Sequence, residues 1–195
     1  METVIQSTIA MLAVINPFIC GSMVLNLEQG TSKKSNIISG VKAMLVVLLI
    51  LLIAAFAGKF ILNAFGISMD AFQAVGGIII SYIGFHMLSS SQKSDVKSKD
   101  QTGLSSLIMF AASPGSIAMV ITLSAVHNDS GLPVSAVLSV TFAVLLAILI
   151  IILMQLLTGK KKKHGPGLAT KFMGLIVLAM GLQFLLDGLK HFFGS

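Results

Sequence analysis

Six stretches of the chain run almost without charge: about Thr3–Leu27, Val41–Phe60, Ala71–Ser90, Leu104–Val126, Val134–Thr158 and Leu168–Phe193. Each is close to the ~20 apolar residues a helix needs to cross the hydrocarbon of a bilayer. Gly, Pro and Lys punctuate the gaps between them. The pattern predicts an all-α, polytopic membrane protein with six transmembrane helices and short loops. Only the segment 91–103 (SQKSDVKSKDQTG) is polar enough to be a flexible linker. It divides the chain into residues 1–90 and 104–195, three spans each.

Composition narrows the class further. Apolar residues make up 55% of the 195 positions before Gly is counted, charged residues only 10%, and the mean hydropathy is +0.98. A soluble domain so poor in charge has no surface to offer water, which excludes a soluble enzyme, a disordered tail and a disulfide-rich secreted module. Cys20 is the one cysteine and forms no intrachain disulfide. The N-terminus lacks a basic region before its apolar stretch, and its first charge is Glu2, so it does not read as a cleavable signal.

Charge then supplies orientation. The net charge is +6, and all 13 basic residues are lysines. In a chain of this composition the excess points to cytoplasmic loops and anionic lipid, not nucleic acid. Loops one, three and five hold eleven of the lysines, including Lys33, Lys34, Lys93, Lys97, Lys99 and the run Lys160–Lys163; the other side holds Lys59 and Lys190. The positive-inside rule places the linker in the cytoplasm and both termini outside.

Three spans, a linker and three spans invite a search for duplication. Asn16-Pro17 in the first span matches Ser113-Pro114 in the fourth at a separation of 97 residues, and AFQAVGGIIISYIGFHML matches ATKFMGLIVLAMGLQFLL at 98, which lays Gly76 on Gly174. A repeat of an odd number of spans is inverted in the membrane, so equivalent loops should differ in charge. They do: KFILNAFGISMD follows the second span and KKKKHGPG the fifth. The expected architecture is two inverted three-helix repeats.

A proline inside a span removes a backbone hydrogen bond that lipid cannot replace, so such breaks belong where protein encloses them. Here they fall in equivalent spans, amid Asn16, Pro17, Gly21 and Ser22 in one and Ser113, Pro114, Gly115 and Ser116 in the other. Asn and Ser are N-cap residues and proline suits the first turn after a cap. Each break therefore reads as a half-helix restarting at mid-membrane, its N–H groups and positive dipole end favouring an anion such as a carboxylate.

The segments INPFICGSM and ASPGSIAMV resemble the paired signature segments of the MarC family of bacterial inner-membrane proteins. FGISMDAFQAVGGIIISYIGFHML and MGLIVLAMGLQFLLDGL resemble that family's third and sixth spans. The resemblance covers essentially the whole chain. It implies six spans in a bacterial or archaeal inner membrane and transport of a small neutral amino acid such as glycine or alanine.

Several residues beside the breaks remain candidates. Cys20 lies three residues after Pro17, beside the expected cavity. His86, one turn after Tyr82, reads as a proton relay or as a satisfied interfacial histidine. Gln183 needs an interhelical partner or touches substrate. Gly76, Gly77, Gly84, Gly174 and Gly181 read as helix packing, with Gly76 and Gly174 also placed to shape the cavity. No carboxylate lies at mid-span, so the coupling ion, H⁺ or Na⁺, is open. No metal site, cofactor or catalytic constellation is legible, and no enzyme is expected. The expectation is alternating-access transport; a channel, an exporter of another small solute, or a pore formed by a homo-oligomer is the alternative.

Overall fold

The computed structural model describes residues 2–25, 33–89, 104–126, 133–157 and 168–194. All regular structure among them is helical: α1 (Glu2–Ile15), α2 (Pro17–Leu25), α3 (Lys33–Ala64), α4 (Met69–Ser89), α5 (Leu104–Ala111), α6 (Pro114–Val126), α7 (Val134–Leu157) and α8 (Leu168–Gly194). Six stretches are long and apolar enough to cross a membrane, with α1–α2 and α5–α6 each forming one of them, Val4–Leu25 and Leu104–Ser124. The linker and the Lys160–Lys163 run lie outside the described residues.

α3 is longer than its apolar pattern. It starts at Lys33 rather than near Val41 and ends at Ala64, a 32-residue helix of ~48 Å. Hydropathy marks where lipid is tolerated; the backbone ladder runs on past both ends of the apolar stretch. What stops it is Gly66, at a φ of 68°. The Gly66 N–H donates to Asn63 O at 3.1 Å and Ile67 N–H to Leu62 O at 2.9 Å, the paired bonds of a Schellman cap. Two residues later Ser68 caps α4, its hydroxyl oxygen accepting from Ala71 N–H at 3.3 Å.

In lipid the hydrophobic effect does not drive helices together, so close van der Waals packing must. Glycine and alanine accordingly recur on the inward stripes, interleaved with a few larger side chains. α3 buries Gly40, Ala43, Met44, Val47, Leu51, Ala55 and Gly58 while Leu49, Ile53 and Phe56 are exposed. α7 buries Val140, Ala143, Val144, Ala147, Ile151 and Gln155, each one hundred positions after a buried residue of α3. These two helices pack on each other and on the jointed spans. α1–α2 runs parallel to α7 along its whole length: Ser139 donates to Val4 O at one end, and Met154 lies against Gly21 at the other.

α4 and α8 form an antiparallel pair of unusual closeness. A methyl group built on Gly77 would overlap the Leu185 backbone and lie 2.7 Å from Gly181 O; one on Gly84 would overlap Leu178 and lie 2.9 Å from Gly174 O. The glycines read from sequence as packing residues thus bring two backbones together. The pair leans on the rest of the bundle chiefly through α4 and α6.

Candidate functional site

The two jointed spans are the most enclosed in the molecule. Of their apolar windows 61% and 56% is buried, against 22–33% for the other four. The first joint is buried at Asn16 and Pro17, whereas at the second Ser113 is half-buried and Pro114 exposed, and the local chemistry of each is set by how the backbone changes helix.

Asn16 stands between α1 and α2 with a φ of 48°, a left-handed conformation that asparagine adopts more readily than most residues. Its side-chain oxygen accepts from Ile19 N–H at 3.3 Å, and its carbonyl accepts from Cys20 N–H at 3.1 Å. Ser113 repeats this register: its hydroxyl oxygen accepts from Ser116 N–H at 3.4 Å and its carbonyl from Ile117 N–H at 3.0 Å. The Ser113 and Ser116 hydroxyls lie 3.2 Å apart. Both are N-caps at the position the sequence indicates, each followed by proline.

These caps limit what the half-helix starts offer a ligand. Pro17 and Pro114 have no N–H, and the third and fourth residues of each start are already engaged. One backbone donor per joint is left, Phe18 N–H and Gly115 N–H, rather than a full crown. The Asn16 amide adds a stronger one. It is fully buried, and its NH₂ reaches only the Met87 sulfur at 3.9 Å. A thioether is a weak acceptor, so a carboxylate would be the better partner.

The two joints meet the same face of α4. A Cβ on Gly115 would lie 3.1 Å from Ile83 and 3.4 Å from Ile80, while Asn16 reaches Met87. Those contacts are four to seven residues apart on α4, about 6–10 Å along its axis at ~1.5 Å per residue. Gly76 continues the face; a Cβ built on it would lie 3.0 Å from Ala118. Gly174 faces Gly84 and Met87 instead, so the structure sets it opposite α4 as part of the glycine pair and separates it from Gly76 in role.

Pro17, Gly21, Gly115 and Ser116 are buried, Ser22 is partly buried and Pro114 is exposed. The Ser22 hydroxyl donates to Ile19 O at 2.8 Å. Cys20 is fully buried, not lining an open space. Its thiol donates to Ile15 O at 3.3 Å, the carbonyl whose helical donor, Ile19 N–H, has gone to the Asn16 cap. Cys20 thus mends the backbone where the joint opens it. N-ethylmaleimide is expected to label it slowly in the folded protein and fast after denaturation; fast labelling of the folded protein would show the joint open.

Three candidates lie elsewhere. Tyr82 and His86 are exposed on the outer face of α4, their rings 6.3 Å apart. Gln183, expected to bridge helices, is exposed and donates to Asp187 on its own helix at 3.5 Å. Conversely, Gln155 of α7 is buried to 2% exposure and was not singled out by sequence. The signal available was one amide in an otherwise apolar run, at a position whose counterpart in α3 is Ala55.

Six apolar spans, two of them jointed and enclosed, define an integral membrane protein of the multi-pass class. Residues 1–193 match the family model described as MarC family integral membrane protein, and the chain belongs to that family. It is 27% identical over 187 residues to a UPF0056 membrane protein of Methanocaldococcus jannaschii, covering 91% of each chain. It is 28% identical to a UPF0056 membrane protein of Buchnera aphidicola (98% and 93% covered) and 27% identical to the UPF0056 inner membrane protein MarC of Escherichia coli (93% and 91%). No solved structure matches it.

Proposed function

We propose that the chain is a transporter of small neutral amino acids of the glycine or alanine type, working by alternating access in a bacterial or archaeal inner membrane. Residues 1–90 and 104–195 act as inverted three-helix repeats about the cytoplasmic linker 91–103, with both termini outside. The observation that carries the reading is the pair of joints: two spans interrupted at equivalent places, capped in the same register, enclosed by the bundle and set against one face of α4. A helix that breaks inside a membrane is tolerated where it lines a binding site, and its start favours an anion.

Several features support the inversion. Burial in α3 and α7 falls in step. The close contacts Gly77–Gly181 and Gly84–Gly174 exchange with each other when Gly77 is paired with Gly174 and Gly84 with Gly181, as a two-fold axis through the α4–α8 crossing requires. The substrate's carboxylate takes the Asn16 amide and the Phe18 N–H of one joint, and the Ser113 and Ser116 oxygens of the other accept from its ammonium. Binding displaces Met87 from Asn16. The site is neutral, made of backbone, amide and hydroxyl groups, and discriminates by size because the Ile80 and Ile83 side chains stand close against Gly115. No enzyme chemistry is assigned to it.

The test is counterflow in proteoliposomes. Radiolabelled glycine or alanine is expected to accumulate against unlabelled amino acid inside, above protein-free liposomes, and repetition with pH and Na⁺ gradients identifies the coupling ion. Folded protein that gives no counterflow with any of the proteinogenic amino acids overturns the reading.

A further inference from the structure

Gln155 stands out among the buried side chains. It is 2% exposed, on the stripe of α7 formed by Ala143, Ala147 and Ile151, and its side-chain nitrogen has no hydrogen-bond partner. An amide donor left unsatisfied away from water is costly, and membrane helices ordinarily give such a group an interhelical acceptor. Folding does not ask for it here, since the counterpart position in α3 holds Ala55, also buried.

Its neighbours on α7 reach two other helices. Ile151, one turn earlier on the same face, packs against Gly40 of α3, and Met154 next to it lies with its sulfur over Gly21 of α2. The stripe that carries Gln155 therefore faces α3, and Met154 beside it faces α2. α1–α2 runs parallel to α7 with Gly21 level with Met154, so Gln155 lies about 9 Å from the Asn16 joint along the helix axes, counting ~1.5 Å per residue. That is one small-molecule step beyond the joint. The flexible, polarisable Met154 side chain, seated over a glycine, is of the kind that can swing aside and repack.

We propose that Gln155 is a second substrate contact, its amide N–H donating to the carboxylate of a small amino acid that has left the joint and stands between α2, α3 and α7, with Met154 as the side chain that must move to admit it. The proposal rests on the transporter reading for the identity of the ligand. An unpaired donor is what such a station needs: it is satisfied only while substrate passes, so it holds substrate without retaining it.

Gln155→Leu in the full-length protein separates this role from a structural one. Leucine removes the unpaired donor and leaves the apolar packing, so the thermal unfolding midpoint is expected to hold or rise, while the KM for glycine uptake rises tenfold or more. Gln155→Glu, which sets a carboxylate against a carboxylate, is expected to raise KM at least as far, and Gln155→Asn to restore part of the loss. Unchanged KM in Gln155→Leu overturns the proposal, as does a lowered unfolding midpoint that accompanies the loss of uptake, since that assigns the amide to the fold. The wild-type protein run alongside separates the two claims: no wild-type uptake removes the transporter reading and this contact with it, whereas wild-type uptake unaffected by Gln155→Leu removes the contact alone.

Discussion

Leucine at Gly84 is expected to leave no folded protein to assay. Gly84 meets α8 backbone to backbone, with the Leu178 main chain against its Cα and Gly174 O 2.9 Å from where a Cβ would stand. Overfilling a packed core commonly costs about 1–3 kcal/mol when side chains can shift. Here the obstructing atoms are main chain, which cannot rotate away, so the α4–α8 pair must separate as a whole. Separation is severe in lipid because nothing hydrophobic draws the helices back; the close approach is itself the attraction. The twin contact at Gly77 and Gly181 would be lost with it. Size-exclusion of the detergent-solubilised protein should show aggregate in place of a single peak. Gly115→Ala is the control: its new methyl meets the ends of Ile83 and Ile80 side chains, which can adjust, and that variant should remain monodisperse. A Gly84→Leu protein with a wild-type profile would mean that the helices do not meet through these glycines.

That contrast shows what a membrane sequence discloses. Apolar runs and lysines located six spans, and their ends agree with the helices at Leu104 and Val134. Asn-Pro and Ser-Pro located both joints and their caps, because capping is local chemistry written in adjacent residues. The ends of α3 were legible in principle through Gly66 and Ser68, but hydropathy alone obscured them. Which way a helix faces was harder. In water an amphipathic stripe announces the buried side; in lipid both sides are apolar, and only residue size distinguishes them. Polar residues then mislead: Gln183, Tyr82 and His86 drew attention yet face outward, while Gln155, alone in an apolar run, faces in.

Asn16→Gly is expected to keep the fold and abolish transport, and Asn16→Ala to damage both. At a φ of 48° glycine is at ease. It gives up only the cap to Ile19, worth a few tenths of a kcal/mol for a glycine replacement. The unfolding midpoint should therefore stay close to wild type. Alanine keeps a Cβ in the left-handed conformation without the local side-chain hydrogen bond that lets asparagine tolerate it, and loses the cap at about 1 kcal/mol, so its midpoint should fall by a few degrees. What both variants share is the absence of the amide now held by the Met87 sulfur. If that amide binds the substrate carboxylate, glycine counterflow falls to the protein-free level in each, although only one is destabilised. Counterflow that survives in Asn16→Gly would reduce the joint to a structural kink, and the binding site would have to be sought away from it. The double readout is decisive because backbone geometry and hydrogen bonding, inseparable in the wild-type asparagine, are separated by glycine.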